Sequence, residues 1–225
     1  MGSVDMKKLK GRARPAAEPA LREPTQSRSR ESTETLLEIG RRLIEQRGVD
    51  DCSMNEVAAA AGSSVGALYF RFGNKERFVS EVMRRQVDDT AKQIPIFLAE
   101  IEAKATSPSE VIEAAINWFV LEFGKNRGLL RAQIRRALDN PQEWQPFQQI
   151  GRDLVDGAIA IIEHLPELKQ DDGWQRGVRV AMQMVLGTLN NIVINRPGPL
   201  DLSDDATSRE LSRAAIRYLG WNETP

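Results

Sequence analysis

The segment from residue 53 to residue 78 constrains the fold of this chain of 225 residues more than any other. It reads as a short helix after Ser53, a turn at Gly62, a second short helix from Val65 to about Phe72, and the capped start of a third helix at Asn74. Two helices this short cannot bury a core between them, so further helices must support them. The pattern predicts a helix-turn-helix carried on a helical scaffold.

Local signals mark the ends of these short helices. Ser53 and Glu56 have the spacing of a capping box, which satisfies two backbone amides at a helix start. Gly62 tolerates the left-handed conformation that ends a helix and turns the chain. Ser63 and Ser64 can each cap the helix that follows.

The second short helix has one apolar face and several faces left for another partner. Leu68 and Phe72 are i, i+4 neighbours and are expected to point inward. Gly66 costs a helix about 1 kcal/mol relative to alanine, which indicates that a partner helix or a DNA phosphate approaches the backbone there. An outward-facing helix of this kind fits the DNA major groove, so DNA binding is the leading hypothesis. A tight helical hairpin without that function would use the same small residues.

The chain continues from Leu68 to Glu76 as L-Y-F-R-F-G-N-K-E. With the preceding turn, this segment resembles the signature of the TetR family of transcriptional regulators, approximately A-G-V-S-x-G-x-L-Y-x-[HY]-F-x-[SN]-K-E. The resemblance extends upstream to a helix containing Leu36 and Ile44 and covers roughly residues 33 to 80. The matching residues are Ala61, Gly62, Ser64, Gly66, Leu68, Tyr69, Phe72, Asn74, Lys75 and Glu76.

The resemblance implies which side chains face DNA. Tyr69 is expected to contact phosphate and sugar, while Lys75 and Ser53 are expected to bind phosphates at helix starts. Half-buried packing for Tyr69 and ordinary solvation for Lys75 are the alternatives. The candidate DNA-binding residues are Ser53, Ser63, Ser64, Val65, Ala67, Tyr69, Phe70, Arg71 and Lys75.

Three of these candidates depart from the family signature. Ser63 makes the turn more polar, and Arg71 adds a charge near the DNA backbone. Val65 favours an apolar contact, for which a thymine methyl group is a suitable partner. Together with Ala67 and Ser64, Val65 is expected to specify the bases that are read.

Charge divides the chain into a basic front and an acidic remainder. Residues 1–86 contain 16 Lys and Arg against 12 Asp and Glu, and the remaining 139 residues contain 15 against 20, for an overall net charge of −1. We predict a disordered basic arm over residues 1–32, a DNA-binding domain over 33–80, and an effector-binding and dimerisation domain over 81–225. The arm either contacts the minor groove or phosphates, or is a flexible solubilising tail.

Helical periodicity without strand alternation predicts an all-α fold. The resemblance implies an N-terminal three-helix DNA-binding domain with a helix-turn-helix, followed by a helical ligand-binding and dimerisation domain. Pro95 and the segment 106–109 are expected to interrupt the chain. Helices are predicted from Asn74 to about Ala91, over 109–125, 127–139, 142–164 and 174–195, and from about residue 205 to about 219.

The last two helices are predicted to form a homodimer interface, since the resemblance implies a four-helix interface built from two helices of each subunit. A two-fold dimer places its two recognition helices about 34–36 Å apart, one turn of DNA, on a palindromic operator. The alternative is that their apolar stripes belong to the core of one subunit. The candidate interface residues are Val178, Met182, Val185, Leu189, Leu211, Ala215 and Tyr218.

The middle helices are predicted to enclose a pocket for a small, hydrophobic effector. Polar anchors are sought among Asn117, Arg131, Gln148, His164 and Asn190. The alternative is that each aromatic residue is ordinary core. The candidate pocket residues are Trp118, Phe119, Phe123, Trp144, Phe147, Met182 and Met184.

Composition argues against an enzyme and against a metal or cofactor site. One histidine and one cysteine exclude the usual zinc sites and the nucleophilic triads unless His164 takes part. Cys52 alone allows no intramolecular disulfide, and no membrane span or signal peptide is recognised, so a cytoplasmic protein is expected.

The expected partners are a double-stranded DNA operator, a small-molecule effector and a second copy of the chain. A helical dimer that binds proteins, or an activator of the same fold in place of a repressor, are the alternatives.

Overall fold

A computed structural model describes residues 26–165 and 173–221, and within those ranges it contains nine α-helices and one 3-10 turn, with no strand. The predicted all-α fold is therefore confirmed. The helices are α1 Gln26–Arg47, α2 Met54–Ala60, α3 Val65–Phe72, α4 Lys75–Lys104, α5 Pro108–Lys125, α6 Arg127–Asp139, α7 Gln145–Glu163, α8 Trp174–Asn195 and α9 Asp205–Leu219, with the 3-10 turn at Pro141–Trp144 before α7.

The predicted helix caps of the helix-turn-helix are confirmed. The Ser53 hydroxyl accepts a hydrogen bond from the Glu56 amide at 3.2 Å, and the Glu56 carboxylate accepts one from the Ser53 amide at 3.2 Å. Ser64 caps α3, and the side chain of Asn74 caps α4 by accepting from the Arg77 amide at 2.8 Å. Gly62 has φ of +60°, the left-handed conformation that the turn requires.

Helix α4 is longer than predicted, because Pro95 lies inside it and does not end it. Proline removes the hydrogen bond that residue 95 would donate to residue 91. Packing on both sides of the proline compensates for this loss. Ile94 and Ile101 are buried, and Leu98 packs so closely against Gly157 of α7 that a Cβ atom at residue 157 would clash with the Leu98 side chain.

The first helix begins earlier than predicted. Helix α1 starts at Gln26, so residues 26–32, which were assigned to the disordered arm, have a helical backbone. No proline or glycine lies between Pro24 and Gly40, which leaves this stretch free to continue the helix toward the N-terminus. The rest of the predicted arm, residues 1–25, lies outside the described residues, as do Asp171 and Asp172 before α8.

The helices build two apolar cores. The head comprises α1, α2, α3 and the first turns of α4, and its core contains Leu68, Phe72 and Phe78. The body comprises the rest of α4 and α5 to α9, with a larger core. Leu129 of α6 is 2% exposed and belongs to the core of the head, although α6 is otherwise a helix of the body.

Among the described helices, α8 alone is long and apolar enough to cross a membrane, judged by length and composition. Core helices of soluble proteins satisfy the same criterion. Seven residues of α8 are buried within this chain, from Val178 to Val193. Its apolarity is thus explained in part by the core of the body.

Candidate DNA-binding and effector sites

Helix α3 turns one face into the head and presents the others outward. Leu68 and Phe72 are buried as predicted, and the Phe72 ring packs edge-on against Phe78 with ring centroids 5.0 Å apart. On the outward side, Tyr69 is 47% exposed and Phe70 is 95% exposed. Two aromatic side chains on a rigid, capped helix form an accessible surface that the described part of the chain does not cover.

The first turn of α3 places small groups at the surface. Ser64 is exposed, and its hydroxyl accepts from the Ala67 amide at 3.1 Å, which leaves the hydroxyl proton available for a phosphate or base. Ala67 is exposed, whereas Ser63 and Val65 are half-buried and Val65 packs against the core of the head. A Cβ atom at Gly66 would meet nothing closer than Ser64 Oγ at 4.0 Å, so packing among the described residues does not require that glycine.

The remaining candidate DNA contacts already have partners within the chain. Lys75 is half-buried, and its ammonium donates to the backbone carbonyl of Asp50 at 3.1 Å. The exposed Arg71 donates to the hydroxyl of Ser32 at 3.3 Å. The Ser53 hydroxyl donates to the Glu56 carboxylate at 2.9 Å, so its proton is already used in the capping box.

Glu56 is held in its ionised form by these contacts. Hydrogen bonds from the Ser53 side chain and backbone lower the pKa of the Glu56 carboxyl below its ordinary value, and Arg47, at 3.0 Å, adds to the effect. The start of α2 is therefore fixed by a charged hydrogen-bond network. This network orients α2, against which α3 packs.

The body contains a cavity of about 670 Å³ between α4, α5, α6, α7 and α8. Six of the seven candidate pocket residues lie in its wall: Trp118, Phe119, Phe123, Trp144, Phe147 and Met182. Met184 does not line the cavity and is 48% exposed, because it lies two residues from Met182 and so on the opposite side of α8.

Of the proposed polar anchors, Gln148 and Asn190 line the cavity and the others do not. Arg131 donates to the backbone carbonyl of Val193 at 2.8 Å, and Asn117 is exposed. His164 lies with Nδ1 2.7 Å from the carbonyl oxygen of Ala160, in the last turn of α7.

Sequence reasoning missed several polar residues of the cavity wall, among them Glu122 and Asn126. They follow Phe119 at i+3 and i+7, Glu122 within α5 and Asn126 directly after its last residue. The i+3 spacing places Glu122 on the pocket face of α5, and its side chain is only 14% exposed. Among the described residues, no group of three or more His, Cys, Asp or Glu is placed to hold a metal ion.

The N-terminus of α6 connects the cavity to the head. Glu45 of α1 accepts hydrogen bonds from the amides of Gly128 at 2.7 Å and Leu129 at 3.1 Å. A carboxylate at a helix N-terminus is favoured by the helix dipole as well as by these bonds. Leu129 lines the cavity and also packs in the core of the head, so the two sites share one side chain.

Most of the predicted dimer-interface residues lie inside their own protomer. Tyr218 is 52% exposed, whereas the other six belong to the core of the body and are at most 7% exposed. The prediction selected the most apolar face of each helix, and that face packs inward. On the outward side of α8, Met184, Gly187 and Ile194 recur at helical spacing and are exposed.

Comparison with known sequences identifies relatives of both the head and the whole chain. Residues 36–82 match the family model described as bacterial regulatory proteins, tetR family. The chain is 36% identical over 193 residues to the HTH-type transcriptional regulator AcrR of Shigella flexneri, covering 81% of this chain and 87% of that protein. It is 33% identical over 98 residues to the HTH-type transcriptional repressor KstR2 of Rhodococcus jostii, covering 40% of this chain and 48% of that protein.

Solved structures share the fold at lower sequence identity. A TetR transcription regulator from Haloarcula marismortui superposes with a TM-score of 0.63 at 15% identity, covering 85% of this chain and 97% of that one. A tetR-family transcriptional regulator from Streptomyces coelicolor gives a TM-score of 0.62 at 14% identity, covering 84% and 79% respectively.

Proposed function

Because this chain belongs to the TetR family of bacterial transcriptional regulators, we propose that it is a ligand-responsive repressor that binds a palindromic operator as a homodimer in the cytoplasm. The family consists of DNA-binding regulators and not of enzymes. A small, hydrophobic effector that enters the body cavity releases the DNA. The observation that carries the proposal is the placement of Leu129, which lies in the wall of the cavity and in the core of the head.

In this proposal α3 enters the major groove. Ser64 and Ala67 at its exposed start read base edges, while Tyr69 packs on the sugar-phosphate backbone. The exposure of Phe70 supports a place for this ring in the same interface. Lys75 and Arg71 contact phosphate after exchanging their present partners, the Asp50 carbonyl and the Ser32 hydroxyl, for DNA.

The homodimer forms through the outward faces of α8 and α9. Met184 and Ile194 supply exposed apolar area on α8, Tyr218 supplies it on α9, and the open space at Gly187 permits close approach of a second helix. Two recognition helices related by a two-fold axis then match an inverted repeat of DNA.

Release follows from the shared helix α6. An effector that binds beside Asn126 and Leu129 favours a position of α6 different from the one in which Glu45 holds Gly128 and Leu129. Since Glu45 is part of α1, a shift of α6 changes the position of the head relative to the body. The ligand acts only through its difference in affinity for the two arrangements.

Selection from random double-stranded DNA, followed by binding measurements, tests the DNA-binding part of the proposal. We expect the full-length dimer to enrich an inverted repeat and its affinity to fall steeply as salt rises. Tyr69→Ala and Lys75→Ala should weaken binding, whereas Lys92→Ala on the exposed surface of α4 should not. Absence of any enriched repeat, or an affinity that does not depend on salt, would contradict the proposal.

A promoter reporter separates a repressor from an activator of the same fold. With the selected repeat placed across a promoter, a repressor lowers expression and an effector restores it. Increased expression in the presence of the unliganded protein would assign the opposite role.

A further inference from the structure

Two polar residues of the cavity wall, Asn126 and Glu122, are hydrogen-bonded to each other. Asn126 is 5% exposed, and its Nδ2 donates to the backbone carbonyl of Glu122 at 3.1 Å and to the Glu122 carboxylate at 3.0 Å. These two oxygens fix the amide orientation, because a flipped amide would place oxygen against oxygen. The buried Asn126 Oδ1 has no hydrogen-bond partner among the described residues and almost no accessible surface. Asn126 therefore holds the Glu122 carboxylate in place and does not itself present an oxygen to a ligand.

The neighbouring carboxylate is also incompletely compensated. Glu122 receives one bond from Asn126 and one from the ammonium of Lys125, at the longer distance of 3.4 Å. A carboxylate has about four acceptor positions. The Lys125 side chain is more than half exposed and does not line the cavity, so its charge is largely solvated. The carboxylate therefore retains capacity for a donor inside the cavity.

The walls around these oxygens are aromatic and can also stabilise positive charge. Trp118 stacks on Phe97 with ring centroids 5.7 Å apart and meets Phe119 edge-on at 5.4 Å. Trp144 and Phe147 stack at 5.2 Å. Aromatic faces attract cations through their quadrupole, most strongly in sites shielded from water.

The basic side chains of the wall do not oppose this preference. Arg179 forms an ion pair with Asp156. Arg152 is exposed and donates to the Gln149 side chain at 2.8 Å. Both arginines are exposed and engaged with other side chains, whereas the Glu122 side chain is only 14% exposed.

We propose that the effector is a lipophilic amine, with an apolar body among the aromatic rings and one cationic N–H group bound by the Glu122 carboxylate. This inference rests on the proposed function, because it names the chemical class of the effector of the same cavity. The proposal predicts that the protein binds ligands with alkyl chains of equal length with different affinities, according to the charge of their head group.

Titration calorimetry with decylamine, decanol and decanoate, at pH 7 and below their aggregation limits, tests the proposal. A primary amine is protonated at this pH, as lysine is. We expect decylamine to bind about tenfold more tightly than decanol, the increment of a charged hydrogen bond, and decanoate to bind most weakly. Equal or tighter binding of decanol or decanoate overturns the amine assignment and leaves the effector cavity itself supported. Binding of none of the three contradicts the cavity as an effector site, and this inference with it.

Two variants assign the preference to the carboxylate. Glu122→Gln should remove the advantage of decylamine over decanol, while Glu113→Gln on the same helix, outside the cavity, should keep it. Lys125→Gln changes an exposed side chain, so the fold should persist, and loss of the competing ammonium should tighten decylamine binding. An unchanged preference in Glu122→Gln, or weaker amine binding in Lys125→Gln, would overturn the role of Glu122.

Discussion

Replacing Gly128 by alanine tests the contact between α6 and the head. A Cβ atom at this position would lie 2.6 Å from the carbonyl oxygen and 2.8 Å from the Cα atom of Glu45, both in the backbone of α1. Ordinary van der Waals contact begins near 3.4 Å, so the two helices must separate by roughly 0.8 Å. The same separation would lengthen the hydrogen bonds from the amides of Gly128 and Leu129 to Glu45, now 2.7 and 3.1 Å.

The energetic cost can be estimated from this geometry. Overpacking a rigid contact costs about 1–3 kcal/mol, and replacing a helical glycine by alanine returns up to about 1 kcal/mol. A net loss of about 1–2 kcal/mol lowers the melting temperature by roughly 2–8 °C for a chain of this size. Because the displaced helix joins the cavity and the head, operator affinity should also fall. A coupling free energy at the lower end of the typical range, about 1 kcal/mol, corresponds to a loss of about fivefold.

Melting curves and fluorescence anisotropy with labelled operator measure the two effects in one preparation. Gly124→Ala is the matched control, since a Cβ atom there would meet Leu202 at an ordinary distance of 3.4 Å. This control should keep its operator affinity and gain slightly in stability. If Gly128→Ala melted and bound DNA as Gly124→Ala does, the proposed role of the α1–α6 contact would be refuted.

Three further predictions concern the head and the dimer. Phe70→Ser should leave the melting temperature nearly unchanged but weaken operator binding, whereas Leu138→Ser, at another strongly exposed apolar position in α6, should change neither. Met184→Glu should convert the dimer to monomers in sedimentation experiments, and a variant that stayed dimeric would count against the outward face of α8. The lowered pKa of Glu56 contributes stability above its unfolded value of about 4.3, and this contribution disappears as the pH falls through the lower folded value. The stability difference between the wild type and Glu56→Gln should accordingly shrink between pH 6 and pH 3, and a constant difference would contradict this account.

The parts of the fold that depend on local chemistry were predictable from the sequence. The caps at Ser53, Ser64 and Asn74, and the left-handed turn at Gly62, are set by residues that lie within three positions of the group they satisfy. The inward face of α3 followed from the i, i+4 spacing of its apolar residues. Such signals require no knowledge of which helices meet in space.

The errors concern features that only tertiary packing decides. Pro95 remains inside α4 because Ile94, Leu98 and Ile101 pack on the body, and the sequence around the proline does not show those partners. The apolar stripe of α8 was visible, but periodicity does not say whether the same chain or a second copy covers it.

The aromatic part of the cavity wall could be predicted from the sequence, and most of the polar part could not, for a similar reason. The five aromatic candidates all line the cavity, while Glu122 was overlooked because the burial of a carboxylate depends on its neighbours. The link between cavity and head through Leu129 has no sequence signature, since a leucine in an amphipathic helix is expected to pack in the nearest core.

The central claim is that occupancy of the body cavity and binding of DNA by α3 are coupled, and thermodynamic linkage tests it most directly. The affinity for the selected operator is measured with and without whichever decyl probe binds, and the affinity for that probe is measured with and without operator. We predict that each ligand weakens the other by the same factor, about fivefold or more. A probe that fills the cavity and leaves the operator affinity unchanged would contradict the account.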